Sequence, residues 1–208
     1  EIMDTTLRDG EQTCGVSFLA HEQMLIARSL LPLLGVDRIE VASARVSDGE
    51  RNAVSEICRW ASSHGLLERI EVLGFVDGNV SVDWIAACGG KVINLLCKGS
   101  LRHCEKQLGK TPQEHIDSIK ETINYARSKG LTVNVYLEDW SNEKRHSREY
   151  VHNMINALKG CGIVRFMLPD TLGILSPAEV EEYMREMTRT YPEICFDFHA
   201  HNDYDLAA

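Results

Sequence analysis

The sequence predicts an α/β chain folded as a TIM (β/α)8 barrel, with seven strands present and the last βα unit missing. Three observations lead there. Short apolar or β-branched runs alternate with longer stretches of helical period, the pattern of parallel strands joined by right-handed crossovers. Glycines stand just past the ends of several of the longer stretches, where a left-handed residue closes the last turn. Nearly every short run ends in polar or reactive residues: Arg8-Asp9, Glu40 with Ser43, Glu138-Asp139, Asp170-Thr171, His199 with His201. An open doubly wound sheet gathers ligands at one switch point, whereas every strand of a barrel delivers its C-terminal end to a common site, so the polar ends favour the barrel.

The elements follow in order. Ile2 to Leu7 reads as the first strand and Ala20 to Leu34 as the first helix, closed by Gly35. Arg38 to Ser43 is the second strand, followed by a helix from Ser47 to His64 that Gly65 terminates. Next come a strand from Arg69 to Val76, a helix from Val82 to Cys88, and a strand from Lys91 to Cys97. Pro112 to Lys129 is a helix with Gly130 behind it, then a strand from Thr132 to Asp139 and a helix from Arg148 to Lys159. The series closes with a strand from Val164 to Pro169, a helix from Pro177 to Thr190 and a strand from Cys195 to His201. Thr111-Pro-Gln-Glu114 and Ser176-Pro-Ala-Glu179 each offer a capping hydroxyl, proline at the first helical position and glutamate at the third. A complete barrel has eight strands and about 250 residues. These 208 residues, read as one catalytic domain, reach only the seventh strand, which leaves two unpaired edges and predicts a homodimer that covers them.

Composition narrows the function. With 31 acidic against 22 basic residues the net charge is -9, and no basic run could neutralise a phosphate backbone, so nucleic acid is not an expected partner. No apolar stretch approaches the roughly 20 residues that span a bilayer, and the first residues lack the pattern of a signal peptide, so a cytoplasmic protein is expected with no membrane partner. The seven cysteines are scattered without a C-x-x-C pair and read mostly as reduced, buried side chains.

Two motifs carry chemistry. On a strand, residues i and i+2 share a face, so Asp197, His199 and His201 point one way while Phe196 and Phe198 face the outer helices. Two imidazoles so fixed either occupy adjacent sites on a divalent cation or form a hydrogen-bonded buried pair. At the other end, DTTLRDGEQ, residues 4 to 12, packs charged groups around one glycine where the first strand ends. Asp9 could supply a hard oxygen ligand and Arg8 could grip a carboxylate or stabilise an oxyanion; the alternative is a solvated turn with an internal salt bridge.

With these residues in hand, DTTLRDGEQ at 4 to 12, PDTLG at 169 to 173 and HAHND at 199 to 203 resemble, in order, the three signatures of the Claisen-condensing metalloenzymes that include the 2-isopropylmalate, homocitrate and citramalate synthases. Their fold is a TIM barrel. The resemblance implies that Asp9, His199 and His201 bind a divalent metal cation (Mg, Mn or Zn), with acetyl-CoA as co-substrate and a 2-oxo acid as acceptor. Arg8 would polarise the keto oxygen, and Arg8, Gln12 and Thr171 would bind the oxo acid. Glu138, inward on the face of Asn134 and Tyr136, would move the proton or position its relay, unless it is a glutamate at a solvated strand end. Glu40 is either a further site acid or the salt-bridge partner of Arg8. The implied function is metal-assisted condensation followed by thioester hydrolysis in amino-acid biosynthesis, for instance of leucine.

This chain departs from that pattern at Tyr204-Asp205, where a glycine is usual, and at Lys98 and His103, where small polar or histidine residues read the substrate. Lys98 could grip a second carboxylate, but the simpler expectation is that it points to water. The alternatives are a hydroxymethylglutaryl-CoA lyase-like enzyme, whose first signature differs, and a non-catalytic truncated metal-binding barrel.

Overall fold

A computed structural model describes residues 1–146 and 148–207. Among these, seven strands form one sheet in the order β1 (Met3–Asp4), β2 (Arg38–Ser43), β3 (Ile70–Phe75), β4 (Val92–Lys98), β5 (Thr132–Glu138), β6 (Arg165–Asp170) and β7 (Cys195–Ala200). The pairs β1/β2, β2/β3, β5/β6 and β6/β7 are parallel. Strand order that follows the chain has no switch point, so this is the sheet of a TIM barrel and not of a doubly wound fold. The α-helices are α1 (Ala20–Arg28), α2 (Asp48–Ser63), α3 (Val80–Ala87), α4 (Leu101–Lys106), α5 (Pro112–Ser128), α6 (Trp140–His146), α7 (Arg148–Leu158) and α8 (Pro177–Thr190). No helix of the described residues is long and apolar enough to cross a membrane.

The chain clusters into two compact units, Glu1–Asn94 with Tyr125–Thr132, and Leu95–Asn124 with the residues from Val133 onward. In the first unit, Ile39, Val41, Ile70 and Val72 are wholly buried, as expected of strands covered on both faces. Helix α2 lays Ala53, Val54, Ile57, Cys58 and Ala61 inward at helical spacing, and its N-cap Ser47 accepts the Glu50 N–H. Two expected boundaries move. Strand β1 ends at Asp4 rather than Leu7, because the Thr5 carbonyl accepts the N–H groups of Arg8, Asp9 and Gly10 and turns the chain at once. The first helix does not run as α-helix to Leu34. It changes at Arg28 into a wider π-helical segment, Ser29–Leu34, that contains Pro32, which has no N–H to return to the Arg28 carbonyl. Gly35 and Gly65 do close their helices in the left-handed region, at φ 73° and 68°.

In the second unit, β6 and β7 stay in register from Arg165 opposite Cys195 to Asp170 opposite Ala200. Phe196 meets Phe166 and Tyr191, and Phe198 meets Trp140, so this face of β7 turns to the outer helices as its alternation predicts. The capping box before α8 forms, Ser176 accepting the Glu179 N–H while the Glu179 carboxylate accepts the Ser176 N–H. Thr111 and Glu114 make the same exchange before α5. Helices α4 and α6 were not among the expected elements. Ser100 caps α4 by accepting the His103 N–H, and α6 begins directly after Asp139, which sits at φ 65°. Cys58, Cys88, Cys97 and Cys104 are buried free thiols, Cys161 is half-buried, and Cys14 and Cys195 are exposed, which agrees with the reduced reading. Burial pushes the Cys58 thiol up to about 12.

A buried histidine ties α5 to β4. The Nε2 atom of His115 accepts the Lys98 N–H at 3.1 Å, so the ring must be neutral there. Burial first, then the charges of Lys110 and Lys98, hold its pKa down to about 4. The folded value lies below the unfolded value of about 6.5, so this contribution to stability is present above pH 6.5 and is lost as pH falls toward 4. Urea unfolding at pH 7 and pH 4.5 tests this: His115→Gln should remove part of the acid destabilisation seen in the wild type, up to about 2 to 3 kcal/mol. An unchanged pH dependence would show that His115 is not the titrating group.

Candidate active site

In the first unit the site residues hang on a buried carboxylate. Glu40, in the middle of β2, is wholly buried; its Oε2 accepts Arg8 Nε at 2.5 Å and its Oε1 accepts Asn94 Nδ2 at 2.7 Å. The other end of the Arg8 guanidinium donates from Nη1 to Asp9 Oδ1 at 2.7 Å. Glu40 is thus the salt-bridge partner of Arg8, one of the two roles expected of it. One step along the strands, Arg38 donates to Glu71 at 3.0 Å, and burial raises the Glu71 carboxyl against the opposing pull of Arg38 and Asn94. The inner face of this half is thus polar where barrels of this class are filled by branched apolar residues. Gln12 is exposed in the short helix Gly10–Gln12 that follows Asp9.

In the second unit, His199 lies on β7 and His201 one residue beyond its end, with ring centroids 5.0 Å apart and planes 15° from parallel. Tyr136 of β5 meets His199 edge-on at 6.2 Å. Gly173 of the PDTLG segment, at φ 57°, packs so closely on the His201 carbonyl and the Asp203 amide that a Cβ would come within 2.9 Å of them. The segment after β6 therefore braces the turn that carries the second histidine. Thr171 accepts the Asp139 N–H on its hydroxyl at 2.9 Å. Asp205 accepts Asn202 Nδ2 at 3.1 Å, which gives the extra carboxylate of this chain a turn-closing contact.

Glu138, the last residue of β5, ion-pairs with Lys98, the last residue of β4. The simpler expectation that Lys98 points to water is thus corrected: a cross-strand carboxylate holds it. His103 Nε2 stands 3.5 Å from the buried Asp139 carboxylate. Among the described residues, Asp9 in the first unit and His199 and His201 in the second are of types that could hold a metal ion.

Sequence reasoning did not single out Asn94, Glu71 or the Lys98–Glu138 pair. Asn94 was detectable, as a lone amide inside the apolar run VINLLC. The pairing of Lys98 was not, because strand register decides which side chains meet at strand ends.

A family model described as HMGL-like matches residues 1–208. A probable 2-isopropylmalate synthase of Ignicoccus hospitalis is 33% identical over 206 residues, covering 99% of this chain and 49% of that protein. The (R)-citramalate synthase CimA of Methanocaldococcus jannaschii is 33% identical over 207 residues, covering 99% of this chain and 40% of that one. The chain thus spans half or less of the length of these relatives. Among solved structures, the HMG-CoA lyase from Brucella melitensis superposes with a TM-score of 0.79 at 21% identity, over all of this chain and 74% of that one, which shows the shared fold.

Removing the Glu40 carboxylate leaves a half-buried guanidinium and the buried Asn94 amide without it. Glu40→Ala should destabilise the protein by about 3 kcal/mol or more in urea unfolding. An unfolding midpoint equal to the wild type's would show that the pair does not hold the strands.

Proposed function

Because this chain belongs to the HMGL-like family, we propose that it is the barrel of an acyltransferase that condenses acetyl-CoA with a 2-oxo acid, in the manner of the 2-isopropylmalate, citramalate and homocitrate synthases. In this reaction the acetyl methyl carbon loses a proton and bonds to the keto carbon, whose oxygen becomes a hydroxyl. Water then cleaves the thioester, releasing free CoA thiol. The observation that carries the reading is the pair of imidazoles of His199 and His201, with ring centroids 5.0 Å apart, to which Asp9 would add a carboxylate.

That set fits a divalent cation of the Mg, Mn or Zn kind, with water or substrate oxygens completing the shell. A cation held there would supply Lewis acidity toward the ketone and carboxylate oxygens of the oxo acid. Arg8, clamped between Glu40 and Asp9, brings positive charge beside the same ligand and would offset the alkoxide that develops on the keto oxygen. The Thr171 hydroxyl accepts the Asp139 N–H and keeps its own proton to donate to a substrate carboxylate. Glu138 would take the methyl proton, and Gln12 would help bind the oxo acid. The lyase reading shares the fold of HMG-CoA lyases, but the two relatives described above carry synthase names.

The test is release of CoA thiol from acetyl-CoA by the full-length protein with Mn or Mg, offered pyruvate, 2-oxoisovalerate and 2-oxoglutarate in parallel. We expect release that depends on one oxo acid and that His199→Ala lowers by about 100-fold or more, the scale of a lost catalytic group. Stoichiometric metal binding with no release on any oxo acid would turn the assignment toward a lyase.

A further inference from the structure

We propose that Lys98 is a positioning residue that holds the Glu138 carboxylate for proton abstraction, an inference that rests on the condensing function above. The two residues close neighbouring strands, β4 and β5, at their C-terminal ends, where barrel active sites lie. Their ion pair joins two side chains that are only partly exposed, 19% for Lys98 and 24% for Glu138.

The backbone brings the ammonium there. Neutral His115 accepts the Lys98 N–H at 3.1 Å from α5, and the Tyr150 hydroxyl donates to the Lys98 carbonyl at 3.3 Å from α7. The next residue, Gly99, donates its N–H to the Glu138 carbonyl at 2.7 Å, and a Cβ at that position would strike the Leu137 carbonyl. Only glycine lets the end of β4 approach β5 this closely. Two outer helices and one obligatory glycine therefore fix the stem of a side chain whose ammonium meets the Glu138 carboxylate.

That arrangement suits a base that must keep one orientation. A glutamate at a strand end has three side-chain torsions, and an ammonium anchored from the neighbouring strand restricts them. In the step itself, a Glu138 oxygen takes the methyl proton, the C–H electron pair forms the bond to the keto carbon, and the keto oxygen takes up the charge and then a proton. Lys98 touches none of the reacting atoms. Being committed to Glu138, it does not serve as the grip for a second substrate carboxylate.

The experiment compares Lys98→Met, Lys98→Arg, Glu138→Gln and the double variant Lys98→Met/Glu138→Gln in the full-length protein. It measures kcat and the KM of the oxo acid by thiol release, with thermal unfolding as the control for folding. Lys98→Met should lower kcat by about 10-fold or more with the oxo-acid KM within about 2-fold of wild type, Lys98→Arg should recover most of the loss, and Lys98→Met should add nothing once Glu138 is Gln. If Lys98→Met does not fold, Lys98→Gln replaces it in the same comparison. A raised KM with kcat retained makes Lys98 a substrate grip and overturns the proposal, as do an unchanged kcat or fully additive losses in the double variant. An active wild type with any of these results sinks this inference alone; a wild type inactive on every oxo acid sinks the condensing function and this inference together.

Discussion

The first unit is organised around one buried charge. Glu40 has no exposure to water, and a carboxylate in that position persists only if its oxygens are satisfied and its charge is matched. Arg8 and Asn94 meet both demands, one from the turn after β1 and the other from within β4. The consequence for chemistry is that Arg8 is no longer a flexible surface side chain. With Nε fixed on Glu40, its Nη1 is aimed at Asp9, so the residues proposed to hold a cation and to stabilise an oxyanion are set beside each other before any substrate arrives. The Arg38–Glu71 pair extends the same logic one layer deeper.

The second unit reaches preorganisation by backbone means. Gly99 and Asp139 directly follow β4 and β5, Gly173 lies three residues past β6, and each is a place where the chain does something an ordinary residue resists. Gly99 lets two strand ends close, Gly173 lets the PDTLG segment brace the His201 turn, and Asp139 turns at positive φ while giving its N–H to Thr171. Aspartate tolerates the left-handed region better than most residues, so the strain is modest. These are the positions around which His199, His201, Thr171 and Glu138 are arrayed.

Much of this was legible in the sequence. The seven strands, the long helices and their caps follow from hydrophobic period and from serine, threonine, proline and glycine at fixed offsets, because those signals act within a few residues. The inward stripe of β7 followed from alternation alone. Helices α4 and α6, of six and seven residues, were too short to show a period, and their polar composition reads as loop. The early end of β1 depends on one carbonyl that accepts three amides, and the widened turn at Pro32 depends on a single missing donor. Glu40 could not be assigned because an acid that ligates and an acid that pairs look alike until its partners are known. Lys98 was misjudged for the related reason that its partner lies forty residues away, on the next strand.

Asp9, His199 and His201 are proposed to act together on one cation. Isothermal titration of Mn2+ into the full-length protein and its Asp9→Asn, His199→Ala and His201→Ala variants measures it without reference to turnover. One ion per chain is expected in the wild type, and loss of that site in each of the three variants, with folding preserved. Equal stoichiometry and affinity across all four proteins would contradict it.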